Sequence, residues 1–106
     1  MLKARIVVPK GARKGDIVEI KTLVNHAMET GYRRDHMGKP IPRDILKRFS
    51  CTYMGAEIFA MDMFTGVAAN PFVAFSMVAQ DSGDLAFTWT DEKGQTHTQT
   101  ERLEVA

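Results

Sequence analysis

The residues of this 106-residue chain that could do chemistry crowd into one stretch, HAMETGYRRDHMGKPIPRD at positions 26–44. It holds His26, Met28, Glu29, His36 and Met37, and imidazole and thioether groups are the ligands a copper site would use. Their spacings match no closed metal template, and His97 is the only other histidine, so structural or surface histidines are the default reading and no metal is assigned. The same stretch carries Arg33 and Arg34, with Lys39 and Arg43 nearby. Planar guanidinium groups bind carboxylates and oxyanions in bidentate fashion, which suits an anionic group or an acidic partner surface. The plainer reading is a solvated loop whose cations are balanced by Glu29, Asp35 and Asp44.

Other chemistry is poorly supplied. Ser50, Ser76 and Ser82 lie in no G-x-S-x-G elbow. Gly11-Ala12-Arg13-Lys14-Gly15 is one residue short of a phosphate loop, lacks the following Lys-Ser/Thr, and precedes a strand, so it reads as a turn. The single cysteine, Cys51, rules out an internal disulfide or a multi-cysteine metal site. It could be a sulfur-handling nucleophile, but its parity places it between Phe49 and Tyr53 on an inward face, where a thiol is a small inert hydrophobe.

The elements that must position these residues are short alternating segments separated by turns. Leu2 to Val8 alternate until Pro9. Asp16 to Asn25 put Val18, Ile20, Thr22 and Val24 inward, with Glu19 and Lys21 outward. Phe49, Cys51 and Tyr53 share a face opposite Arg48, Ser50 and Thr52, and a turn at 54–57 leads into a fourth strand over about 57–64. PFVAFSMVA follows Asn70-Pro71, then comes a strand with Leu85, Phe87 and Trp89 on one face, and last the polar QTHTQTERLEV. Pro42 to Arg48 is a weak helical candidate. Seven short strands of this kind predict an all-β chain, an immunoglobulin-like antiparallel β-sandwich forming one domain over 1–106, with 26–44 as a long inserted loop.

Hydrophobic content of 44% and charged content of 25% fit an ordinary globular domain, and a net charge of +1 with interleaved acids and bases argues against nucleic-acid binding. The N-terminus has no signal-peptide pattern, and no segment reaches transmembrane length.

Two strands break the inside/outside rule. In AEIFAMDMF, Phe59, Met61 and Met63 share one parity while Ile58, Ala60 and Phe64 share the other; in PFVAFSMVA, Phe72, Ala74 and Val78 oppose Val73, Phe75 and Met77. A strand that is apolar on both faces must cover the second with a loop of its own chain or with a partner, and methionine suits a partner surface. Phe59, Met61, Met63, Phe64, Phe72, Phe75 and Met77 are therefore the candidate interface residues.

The blocks METGYRRD, GKPIPRD, RFSCTYMG, AANPF and SGDLAFTWTDEKG, in this order and over nearly the whole chain, resemble the Z subunit of the SoxYZ sulfur carrier of thiosulfate oxidation. That resemblance implies an immunoglobulin-like sandwich with no enzyme activity and no cofactor. It also implies a heterodimer with a Y subunit whose C-terminal Gly-Gly-Cys-Gly-Gly arm carries the substrate to the thiosulfate-oxidising enzymes, and export with that subunit to the bacterial periplasm. This chain ends TERLEVA and has no such arm. The recognition segment is then His26, Met28, Glu29, Thr30, Gly31, Tyr32, Arg33, Arg34 and Asp35, with Arg43. Ala27 departs from the family, which usually has proline after the histidine, and leaves the start of the segment less pre-organised. A small copper or iron sandwich, and a Cys51-dependent sulfur-transfer protein, stay as alternatives.

Overall fold

A computed structural model describes residues 2–106. Its strands are β1 (Ala4–Val7), β2 (Ile17–Val24), β3 (Leu46–Tyr53), β4 (Ala56–Asp62), β5 (Phe72–Val78), β6 (Gly83–Asp91) and β7 (Thr96–Leu103). They pair antiparallel in two sheets, β1-β2-β5 and β4-β3-β6-β7, so the chain is an all-β sandwich as its alternation predicts. Among the described residues no helix is long and apolar enough to cross a membrane. The helical candidate at 42–48 is not a helix: its latter part opens β3 at Leu46, and Leu46 and the preceding Ile45 are both fully buried.

The core follows from strand parity. Val18, Ile20, Thr22 and Val24 of β2 and Leu85, Phe87 and Trp89 of β6 all point between the sheets. Phe49 on β3 is the centre of an aromatic cluster, 5.3 Å from Trp89, 6.3 Å from Phe87 and 6.4 Å from Phe75 between ring centroids. The one buried hydroxyl on β2, Thr22, donates to the Val73 carbonyl at 3.2 Å, so no polar group is left unpaired there.

Two bulges correct the simple parity count. Between Cys51 and Thr52 the β3–β4 register slips so that Ile58 has no opposite residue, which turns both Glu57 and Ile58 outward. A second slip, at Lys47, lets Leu46 and Phe49 both face inward although their spacing is odd.

The β3–β4 connection is a two-residue hairpin. Tyr53 pairs with Ala56, and Met54 and Gly55 both have positive φ, 53° and 82°, as a type I′ turn demands. Close by, the Tyr53 hydroxyl accepts from the N–H groups of Gln80 (3.2 Å) and Asp81 (3.0 Å) and donates to the Asp81 carbonyl, locking the β5–β6 turn to the end of β3.

Candidate partner-binding surface

The molecule measures 57 × 21 × 20 Å between extreme Cα positions. Its longest strand has nine residues and spans about 30 Å, so something projects well beyond the sandwich. That projection is the 26–44 stretch, and it is a laddered arm rather than a structureless loop. Glu29 and Asp44 exchange both backbone hydrogen bonds at the base (2.9 and 2.8 Å). Further out the Ile41 N–H donates to Arg33, the Asp35 N–H donates to Lys39, and Arg34 bridges to Pro40. The tip is an Asp turn: Asp35 Oδ1 accepts from the N–H groups of Met37 (2.8 Å) and Lys39 (3.0 Å), and Gly38 takes the left-handed φ of 78° that closes it.

Most of the charged and metal-ligating groups of the arm are engaged within the chain. Arg33 grips Glu29 with two bonds, Nη2 to Oε1 at 2.6 Å and Nε to Oε2 at 3.2 Å. That guanidinium holds the Glu29 carboxyl below the usual carboxylate range, and Glu29 in return raises Arg33. Arg34 Nη1 donates to the Gly38 carbonyl at 2.9 Å, and Arg43 is paired with Glu92 of the β6–β7 turn, fastening the return strand of the arm to the sandwich. Gly31 packs 3.1 Å from Arg43 Cβ, measured from where a side chain would begin, so a larger residue there would push the two strands apart.

The would-be metal ligands are not assembled. His26 Nδ1 accepts the Met28 N–H at 2.9 Å, and the buried Met28 sulfur accepts the Leu46 N–H at 3.4 Å. Met28, with a left-handed backbone (φ 53°), is buried and plugs the foot of the arm, so, unlike the sequence expectation, its side chain offers no surface for recognition. His36 is on the exposed tip and His97 lies on β7 beside Asp91. Among the described residues no group of three or more His, Cys, Asp or Glu side chains could hold a metal ion. Cys51 is fully buried and burial pushes its thiol up to about 12, which removes the thiolate a sulfur-transfer step would need.

The apolar residues of the two-faced strands divide sharply. Met63, Phe75 and Met77 belong to the chain's own core, because their parity faces the opposite sheet; they cannot serve as an outward interface. Phe59 and Met61 are half-buried against that core. Phe64, just past β4, and Phe72, at the start of β5, are 68% and 61% exposed. Sequence reasoning missed the neighbours of Phe72. On the outer face of β1-β2-β5, Leu23 is paired with Phe72 and Ile17 with Val78, all exposed, with the Lys21–Glu19 ion pair (3.5 Å) between these two apolar ends. The outward parity of β2 reads Ile-Glu-Lys-Leu, which was the available signal.

Leu23, Phe72 and Phe64 share the end of the sandwich from which the arm rises. β2 runs from Leu23 directly into the arm, and the Asn70 N–H and side-chain oxygen bind the backbone of His26 at 2.7 and 2.9 Å. Met63, next to Phe64, donates its N–H to Lys47 at the start of β3 (2.7 Å), where the arm returns. Permanent protein interfaces are rich in exposed apolar residues of this kind.

Fold and surface together define an immunoglobulin-like β-sandwich with an exposed apolar end and a projecting arm. Solved structures share that sandwich: superoxide reductase (neelaredoxin) from Ignicoccus hospitalis, with a TM-score of 0.74, 14% identity, and coverage of 97% of this chain and 80% of that one. The sulfur carrier protein SoxY from Chlorobium limicola f. thiosulfatophilum has a TM-score of 0.67 at 12% identity, covering 97% and 78%. No curated protein matches the chain. The family described as Sulphur oxidation protein SoxZ matches residues 5–102, and the chain belongs to that family. It is therefore a component of the Sox sulfur-oxidation system.

Proposed function

We propose that this chain is the non-catalytic subunit of a heterodimeric sulfur carrier, which binds a Y-type subunit and helps present that subunit's Gly-Gly-Cys-Gly-Gly arm to the thiosulfate-oxidising enzymes in the bacterial periplasm, having been exported with it. The observation that carries this reading is the family match over residues 5–102. The exposed apolar end of the sandwich supports a protein partner, and the buried, protonated Cys51 leaves the covalent chemistry to the partner's cysteine. Arg33 keeps two thirds of its side chain exposed despite its ion pair, so Arg33 and Arg34 are the cations through which the arm would meet an anionic sulfur group or an acidic enzyme surface.

Co-expression with the Y-type subunit of the same organism should yield a one-to-one complex, and a reconstituted pathway should turn over thiosulfate only when both are present. Independent elution of the two proteins overturns the reading. For the arginines, Arg33→Ala and Arg34→Ala should slow turnover while the heterodimer survives; an unchanged rate with an intact heterodimer removes them from the mechanism.

A further inference from the structure

We propose that two copies of this chain join edge to edge through β5, antiparallel about a two-fold axis at Phe75, so that β1-β2-β5 of each becomes half of one six-stranded sheet. Combined with the carrier reading this makes the assembly a pair of heterodimers, but the pairing does not rest on that reading.

β5 is a sheet edge whose outer ladder is open. Its inner side bonds β2 through alternate residues. At the two ends the Val24 N–H donates to the Pro71 carbonyl (3.2 Å) and the Ala79 N–H to the Asp16 carbonyl (2.8 Å), and between them Val73, Phe75 and Met77 stand opposite Thr22, Ile20 and Val18. By the alternation of an antiparallel ladder, the N–H and C=O groups of Phe72, Ala74, Ser76 and Val78 point away from β2. Among the described residues no strand pairs with them.

A row of unpaired backbone groups is completed by another extended strand, and edges that must stay single are guarded by charge, proline, shortness or a bulge. The other edges of this sandwich are guarded. β1 has four residues, one of them Arg5; β4 carries Glu57, Asp62 and the bulge at Ile58; and β7 carries Glu101 and Arg102. β5, Phe-Val-Ala-Phe-Ser-Met-Val, runs seven residues in unbroken register with β2, and none is charged or proline.

The occupant is a second copy because this edge complements itself. Setting Phe75 opposite Phe75 of the other copy puts Phe72 against Val78 and Ala74 against Ser76. That is the register in which every outward-bonding residue of both strands is paired, giving about eight hydrogen bonds across the seam. The neighbouring strand agrees with it. Leu23 stands beside Phe72 and Ile17 beside Val78, so each exposed apolar end of one outer face continues into the opposite end of the other, as a row Leu23, Phe72, Val78, Ile17 across the seam. Lys21 stands beside Ala74 and Glu19 beside Ser76, so the central row runs from a cation on one copy to an anion on the other with only small side chains between. No like charges face each other along it.

The test is the mass of the purified full chain by light scattering after gel filtration. At about 100 µM, where a micromolar association is saturated, the parent should be a dimer. Ala74→Pro removes only an outward N–H, which an edge strand tolerates, so it should keep the parent's circular dichroism and weaken self-association at least about tenfold. Ala74→Lys/Ser76→Lys sets ammonium groups opposite one another across the seam and should have the same effect with the backbone donors intact. β7 bonds β6 through the residues in step with Gln95, which leaves the Thr100 N–H on its outer side, and Thr100→Pro should stay dimeric. Amide exchange at Ala74 and Ser76 should slow as the parent's concentration rises. A parent that is monomeric at that concentration overturns the pairing, as does a dimer that survives both β5 variants or one that Thr100→Pro dissolves. If the Y-type subunit breaks the dimer and Ala74→Pro abolishes its binding, the edge belongs to that subunit and self-pairing is overturned.

Discussion

Phe59 and Phe75 stack with their centroids 4.5 Å apart and their planes 4° from parallel, joining β4 of one sheet to β5 of the other. Each of these strands is an edge of its sheet, so the stack closes the side of the sandwich where no backbone pairing can. Truncating a buried phenylalanine removes its transfer free energy and leaves a cavity, so Phe75→Ala should cost about 3–4 kcal/mol in urea unfolding, and Phe59→Ala less because its ring is only partly buried. Phe75→Asp should fail to fold rather than merely fail to bind a partner. A folded Phe75→Asp protein with native circular dichroism would contradict this placement.

The Tyr53 hydroxyl satisfies three backbone groups of the β5–β6 turn at once. Tyr53→Phe keeps the packing and orphans those groups, so it should lower stability by about 1–2 kcal/mol, read from the urea midpoint with an unchanged slope. No shift in midpoint would mean that water replaces the hydroxyl without loss.

Burial raises the Cys51 thiol to about 12. The native state therefore holds its proton where the unfolded chain, with an ordinary thiol near 8.5, has begun to lose it. The stabilisation is fully present below pH 8.5 and is lost as pH rises towards 12. Iodoacetamide labelling at pH 8 should be slower by about three orders of magnitude in the folded protein than in guanidinium, and Cys51→Ala should flatten the alkaline fall in melting temperature. Rapid labelling of the native thiol would revive the sulfur-transfer alternative.

Asp91 organises the β6–β7 turn. Burial by itself would push its carboxyl up, but the N–H groups of Gln95 and Lys93, both 2.9 Å from Oδ1, and then His97 at 3.7 Å, outweigh it and hold the group below the usual carboxylate range. A lowered folded value means stability that is present above about pH 4 and is lost as pH falls through the folded value. Asp91→Ala should lower the melting temperature at pH 7 and lose less of it between pH 4 and pH 2 than the parent does. Parallel acid profiles would show that this carboxylate does not contribute to acid sensitivity.

Seven strands, their turns and the inward residues of β2, β3 and β6 were legible in the sequence because side chains alternate with period two and Gly, Pro and Asp mark the reversals. The family was legible because separated blocks along the chain agree with it. Strands apolar on both parities were beyond this reading: Phe75, Met77 and Met63 face inward and Phe72 outward only because of which sheet each strand joins, a long-range choice. Single-residue bulges at Lys47 and Ile58 shift parity where no local residue type announces it. The arm shows the same division. Composition alone marked 26–44 as exceptional, whereas the pairing of Glu29 with Asp44 and Arg33, and of Arg43 with Glu92 49 positions away, decided that its charges hold the arm in shape and that Tyr32 and Met37 are left to face outward. Local alternation is written residue by residue, but the partner of a charge or the facing of a two-sided strand exists only once distant segments meet.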